Sequence, residues 1–256
     1  MIYITFAEGF NLIDNSFTPP EISPDPQGTA AMQRYAAEIY RLQQDSPSVS
    51  LTQVGSKVGA SAQAVAMMVK RLRNGGFLEH ELYRGVQLTP SGARLAMPAI
   101  RRHRISEVYL VKAMGYNWAE AHDLAEVFER GLNEALEDRV FDLAGQPTRC
   151  PHGEPIPSKE GIMPQINDQA LILVPSGSSC LISRVRTEEP EKLLYIAELG
   201  LIPGTPFTLL SCAPFQGPLR LQLDHHDHVI GYELAKSLWV EVKSLGVGNK
   251  LPPLKK

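Results

Sequence analysis

The stretch SVSLTQVGSKVGASAQAVAMMVKRLRNGG, residues 48–76, limits this chain's possible folds more than any other. It holds two helix starts within about a dozen residues. Ser50 is placed as an N-cap, and Gln53 three residues on completes a capping-box pattern. Leu51, Val54 and Val58 then form a short apolar stripe. Ser61 opens a second helix, which turns Val65, Met68, Val69 and Leu72 inward and stops at Gly75-Gly76. Two short helices joined by a tight turn at Gly59–Ser61 predict a helix-turn-helix. FLEHELYRGVQLTPSG follows and predicts two short strands, Phe77 to Tyr83 and Val86 to Thr89, with Arg84-Gly85 between them and Pro90-Ser91-Gly92 closing the unit. A helix-turn-helix with a hairpin is a winged helix. Ahead of it, MQRYAAEIYRLQQD (32–45) has near-helical apolar spacing.

Charge is distributed by block. Residues 1–31 carry Glu8, Asp14, Glu21 and Asp25 and no Lys or Arg. Residues 32–104 carry eleven Lys/Arg against four Asp/Glu, and residues 105–150 carry four against nine. A basic block followed by an acidic one predicts an anionic partner for the first, and cations or a protein for the second. In a winged helix the start of the second helix enters the major groove while flanking cations hold phosphates. Ser61, Gln63, Ala64 and Met67 are the expected base-facing residues. Gln63 can pair bidentately with adenine, and the Ala64 methyl can meet that of thymine. Lys57, Lys70, Arg71, Arg73 and wing-tip Arg84 suit phosphates. With few strong base readers, most of the affinity for double-stranded DNA should come from phosphates and fall with salt. The alternative is a solvated basic face with no partner.

Beyond the wing the pattern predicts a long helix from about Ser91 to Met114, a second from Trp118 to Leu132 and a third from Glu134 to Leu143. The Pro- and Gly-rich segment 147–167 reads as a linker, stiffened at 151–157. From Asp168, short β-type runs (ALILVP, SSCLISRV, PFTLLSC, LRLQLD, HVIGYELA, LWVEV) predict a small β-barrel, with one short helix in PEKLLYIAELGL. The expected units are therefore an extension (1–31) that ends before Met32, a winged helix (32–92), a helical domain (93–146), the linker (147–167) and a barrel (168–245). Trp118, Val127, Phe128, Leu132, Leu136, Val140 and Phe141 share helical spacing and are expected to be core, in part against a partner subunit.

Cys150, Cys180 and Cys212 are too few and too scattered for a disulfide framework or a paired-cysteine zinc site, which points to a reducing, cytoplasmic setting. Cys180 is expected in strand core. Cys150 and His152 read as turn and packing residues. The N-terminal stretch has no basic segment before its apolar residues and meets Pro19-Pro20, so it is a poor signal peptide. No apolar run is long enough to span a membrane. DHHDHV (224–229) sits at a hairpin turn and is more readily surface than site.

HDLAEVFER (122–130) places His122, Glu126 and Glu129 at i, i+4 and i+7, one helix face, with Arg130 just beyond. His103 and Glu107 are likewise i, i+4 on the long helix. An imidazole and carboxylate donor set without thiolate suits Mn²⁺, Fe²⁺ or Zn²⁺. YAAEIYRL, the helix-turn-helix, LTPSG, RRHRISEVYL, HDLAEVFE, PHGEPIP, LGLIPG and HVIGYELA occur in an order that resembles the DtxR/MntR family of dimeric, iron- or manganese-activated transcriptional regulators, over about residues 32–245. The resemblance implies a mainly α fold with β: a winged helix, a helical metal-binding and dimerisation domain, and a C-terminal SH3-like domain of the FeoA type. It implies a first metal site at His103, Glu107 and His122, with Glu188 and Glu189 near the loop through which the SH3-like domain adds acceptors.

A second family site falls on Arg34, Ala37, Glu126, Glu129 and Arg130. Arginine cannot ligate a metal but can pair with carboxylates. The sequence reading is therefore that Glu126 and Glu129 either complete the His122 metal site from the side or are neutralised by Arg34 and Arg130. The expected function is a homodimeric, metal-responsive regulator, in the repressor direction, that binds a pseudopalindrome. Alternatives are a metal-independent regulator with built-in cations, and a protein-interaction or metal-handling module. No nucleophile–base pair, phosphate loop or dinucleotide motif points to an enzyme.

Overall fold

The computed structural model describes residues 28–81 and 84–245. Helix α1 runs Ala30–Leu42 and is capped by Thr29, whose side chain accepts from Met32 N. It therefore starts ahead of Met32, a buried residue of its first turn, and the expected boundary at 31/32 falls inside a helix. Helix α2 (Leu51–Val58) shows the Ser50–Gln53 capping box and ends at Gly59 in the left-handed region (φ 63°), where only glycine avoids a steric penalty. Helix α3 (Ala62–Asn74) is capped by Ser61. Strands β1 (Leu78–Glu81) and β2 (Gly85–Leu88) pair antiparallel as the wing. The expected strand end at Tyr83 lies outside the described residues. Ile39, Val54, Val65, Leu72, Val86 and Ile100 are fully buried in one cluster, so α1, the helix-turn-helix, the wing and the start of the next helix share a core. Truncating any of the large members should cost about 2–5 kcal/mol.

Helix α4 (Pro90–Lys112) is capped by Thr89 and runs on from the wing into the next unit. Helix α5 spans Trp118–Phe128 with an Asn117–Glu120 capping box. It then tightens into a 3-10 turn over Glu129–Gly131, so α-helical spacing stops short of Glu129. Helix α6 is Glu134–Leu143. Of the expected core stripe, Trp118 and Val140 are buried, whereas Val127 is 68% and Leu136 48% exposed.

The segment 147–167 is not a free spacer. Arg149 and Pro155 form a β-bridge, and Cys150, His152 and Ile156 are buried. A six-stranded antiparallel sheet follows in the order β3-β8-β4-β5-β6-β7: β3 Gln169–Ala170, β4 Ser179–Val185, β5 Pro206–Cys212, β6 Leu219–Leu223, β7 His226–Ile230 and β8 Leu238–Ser244. Register shifts in β4 and β5 bend it around a buried aliphatic core that includes Cys180. Helix α7 (Pro190–Glu198) packs Leu193 and Ile196 into that core.

Two strand expectations hold only at one end. Leu171–Leu173 form a 3-10 turn, and Tyr232–Lys236 form helix α8 after Gly231. In both places apolar residues serve one core from a turn or helix as readily as from a strand. DHHDHV is the β6–β7 hairpin, with Asp224 and His225 at positive φ in its turn.

Candidate metal centre

Helix α4 carries His103 and Glu107 one turn apart, 3% and 2% exposed, and α5 packs His122 across from them. Glu107 Oε1 lies 2.9 Å from His122 Nδ1, 3.3 Å from His103 Nε2 and 3.3 Å from His152 Nδ1. Three imidazole nitrogens from three chain segments therefore converge on one buried carboxylate oxygen. Cys150 Sγ is 3.8 Å from His152 Nδ1. Two donor sets overlap on Glu107: His103, Glu107 and His122, and Glu107, Cys150 and His152. The rings brace one another. His122 meets His103 and His152 edge-on at 5.2 and 5.8 Å, and His152 stacks on Trp118 at 5.4 Å.

His152 and Cys150 are the turn and packing residues that the sequence reading expected, and the structure also sets both beside Glu107. The turn is real: Cys150 N donates to Glu154 O and Gly153 N to Cys150 O. It is also docked, because Val185 N on β4 donates to His152 O at 2.8 Å. Gly153 permits that approach. Its φ is +84°, and a Cβ there would lie 2.1 Å from Ser183 O. The hint in the sequence was the spacing Cys-Pro-His-Gly, which sets a thiol and an imidazole two residues apart on a tight turn.

Electrostatics follow from the crowding. Burial alone would raise the Glu107 carboxyl, yet the His152 and His103 charges hold it well below the usual range. Burial and Arg41 work against a charged His103, but Glu107 and Glu129 outweigh them and lift it to about 9. Burial likewise opposes a charged His152, and Glu107 with Cys150 lifts it to about 10. Burial, with Glu107 beside it, pushes the Cys150 thiol up. His103 Nε2 is buried without a hydrogen-bond partner, although it is aimed at a carboxylate oxygen. An orphaned nitrogen among imidazole, carboxylate and thiol donors fits a divalent metal ion.

The remaining sequence candidates divide. Glu129 Oε2 sits 3.1 Å from His103 Nδ1, so it meets the imidazole's outer nitrogen. Glu126 is exposed. Among the described residues no ion pair within 4.0 Å joins Arg34 or Arg130 to Glu126 or Glu129, and the predicted pairing is not observed. Arg34 Nε is buried without a hydrogen-bond partner. Arg41, two turns further along the same face of α1, pairs with Glu38 of its own helix. Glu188 pairs with Lys57 of α2. Burial opposes its charge, but Lys57 dominates, with His122 and Arg41 adding, and the carboxyl is held below its usual range. Glu189 pairs instead with Lys192 at 2.6 Å and is largely exposed.

On the winged helix, Gln63, Met67, Lys70 and Arg71 are exposed on α3. Ser61 accepts from Ala64 N at 3.3 Å, so its hydroxyl already caps the helix, and Ala64 is half-buried. Arg84 pairs with Glu81 at 3.1 Å.

Three family models match in sequence order: the iron dependent repressor N-terminal DNA binding domain at residues 28–86, the iron dependent repressor metal binding and dimerisation domain at 89–158, and the FeoA domain at 170–242. A manganese-dependent transcriptional repressor solved in complex with manganese matches with TM-score 0.75 at 30% identity, over 82% of this chain and 99% of that one. The chain belongs to the DtxR/MntR family. Among other relatives in that family, the iron-dependent repressor IdeR of Mycobacterium tuberculosis (strain ATCC 25618 / H37Rv) is 26% identical over 219 residues, covering 81% of this chain and 95% of its own. IdeR of T. acidophilum matches with TM-score 0.71 at 27% identity, over 82% of this chain and 97% of that one. The DtxR/MntR assignment agrees with the order of winged helix, helical unit and FeoA-type sheet. Among the described residues no helix is long and apolar enough to cross a membrane.

Proposed function

We propose that this chain is a cytoplasmic, metal-responsive DNA-binding repressor that acts as a homodimer on a pseudopalindromic operator. The convergence of His103, His122 and His152 on one oxygen of buried Glu107 carries the reading. Three imidazoles around a single carboxylate are a costly arrangement for structure alone, because each charged form must be taken out of water. A divalent ion supplies the positive charge that His103 and His152 otherwise carry as protons.

In this reading His103 Nε2, Glu107, His122 and His152 are the donors, Cys150 completes the set for a softer ion, and Glu188 comes from the FeoA-type unit. Glu129 orients His103 from its outer nitrogen, as carboxylates do for metal-bound histidines. Mn²⁺ and Fe²⁺ are the expected effectors, with Zn²⁺ favoured wherever Cys150 joins. The donors come from α4, α5 and the 150–153 turn. Ion binding therefore fixes how these segments sit together, and α4 runs without a break from the wing. Control of DNA affinity requires tighter metal binding to the DNA-competent arrangement.

Gln63 and Met67 are the proposed base readers and Lys70, Arg71 and Arg84 the phosphate contacts. Leu124, Val127, Leu136 and Leu143 leave exposed apolar surface on α5 and α6, which supports a subunit contact there. We assign the chain no catalysed reaction. The test is calorimetric titration of chelator-treated protein with Mn²⁺, Fe²⁺ and Zn²⁺, followed by operator selection and DNA binding with and without metal. Metal-dependent affinity for a two-fold symmetric site is expected. Equal affinity in both conditions overturns metal control.

A further inference from the structure

Next to the metal centre lies a second, smaller cavity of about 20 Å³, where the family resemblance places another metal. Its walls do not fit one. Arg34, Arg41, Lys57 and Arg130 all line it, and none of these side chains can give a lone pair to a metal at neutral pH. Of the three carboxylates there, Glu38 is paired with Arg41, Glu129 is taken up with His103 Nδ1, and Glu126 is exposed. Arg41 projects from α1 into the wall shared by this cavity and the main cleft that holds His103, Glu107 and His122. Its guanidinium is paired with Glu38, and its side chain is only 21% exposed.

We propose that the fixed cations of Arg34, Arg41, Lys57 and Arg130 replace the second metal, so that the Glu126/Glu129 cavity takes up no ion. The proposal rests on the reading of the neighbouring centre as a metal site. Its chemistry is that of a fixed charge. Burial opposes the Arg41 cation, but Glu38, Glu129, Glu107 and Glu188 outweigh it and hold the proton more firmly than usual. A guanidinium in this place cannot dissociate when metal becomes scarce. The charge in this cavity is then permanent, and the effector acts through the Glu107 centre alone. The response to metal should follow a single-site curve per protomer with respect to this region of the molecule.

The experiment counts ions bound to chelator-treated, refilled protein by elemental analysis and calorimetry with saturating Mn²⁺ or Zn²⁺. Wild type is compared with Glu126→Gln, which alters an exposed side chain and leaves the Glu107 centre intact. The expected result is an unchanged count, together with unchanged affinity within 2-fold. A count that drops by one in Glu126→Gln overturns the proposal, because an ion then occupies the second cavity. A count of zero in wild type means that the centre itself, and with it the proposed function, is wrong, which is a separate failure.

Discussion

Two adjacent sites on one pair of helices, the Glu107 centre and the Arg34–Arg130 cavity, show how the same scaffold can hold charge in opposite ways. At Glu107 the positive charge is removable: His103 and His152 carry it as protons, and an ion can take it over. At the neighbouring cavity it is permanent, on guanidinium and ammonium groups. A titratable site can report on its surroundings, whereas a site of fixed charge can only hold a shape.

The largest effect that could break this contrast is at the shared oxygen donor. Glu107→Gln should weaken metal binding by about 100-fold or more, since even outer partners of metal-bound histidines are worth 10–100-fold. Calorimetry checks it, and an affinity within a few-fold of wild type would place the ion elsewhere. Next, His152→Ala should cost about 10–100-fold in the same measurement, because it removes one of three converging nitrogens. An unaffected affinity would return His152 to a packing role.

A third test uses pH. His103 and His152 titrate near 9 and 10 in the fold, above their ordinary value of 6.5. Raised values mean that the folded state binds protons more tightly than the unfolded chain. Their contribution to the stability of chelated protein is therefore complete below about 6.5 and is lost as pH rises through 9 and 10. Chelated wild type should lose more melting temperature between pH 6.5 and 10 than chelated His152→Ala. Metal needs the unprotonated nitrogens, so its affinity should climb over the same window. Parallel melting curves for the two proteins would deny the coupling. The smallest effect belongs to the half-exposed Lys57–Glu188 pair. Lys57→Ala should change stability by less than about 1 kcal/mol, as exposed ion pairs do, read by denaturant melting.

Much of the fold was legible from local chemistry. Ser50 with Gln53, Ser61 and Asn117 are caps that act within four residues, and each sits where the sequence placed it or at the helix start it implied. His103 and Glu107 follow from helical spacing alone. His152 did not, because a docking bond from Val185, 33 residues away, brings its turn to Glu107. Arg34 misled for a related reason. Helical spacing says which face a side chain leaves from, but it cannot say whether the side chain at position 34 reaches a carboxylate on α5. Residue 129 misled in part because the helix tightens before it.

The pairs Lys57–Glu188 and Asp45–Arg186 join the helix-turn-helix region directly to the loop before α7. Three beads on a string thus close into a triangle, with the last bead touching the first. In a triangle no corner is peripheral, so a perturbation of the FeoA-type unit reaches the DNA-reading helix by two routes: through the Glu107 centre, and across the side that bypasses it.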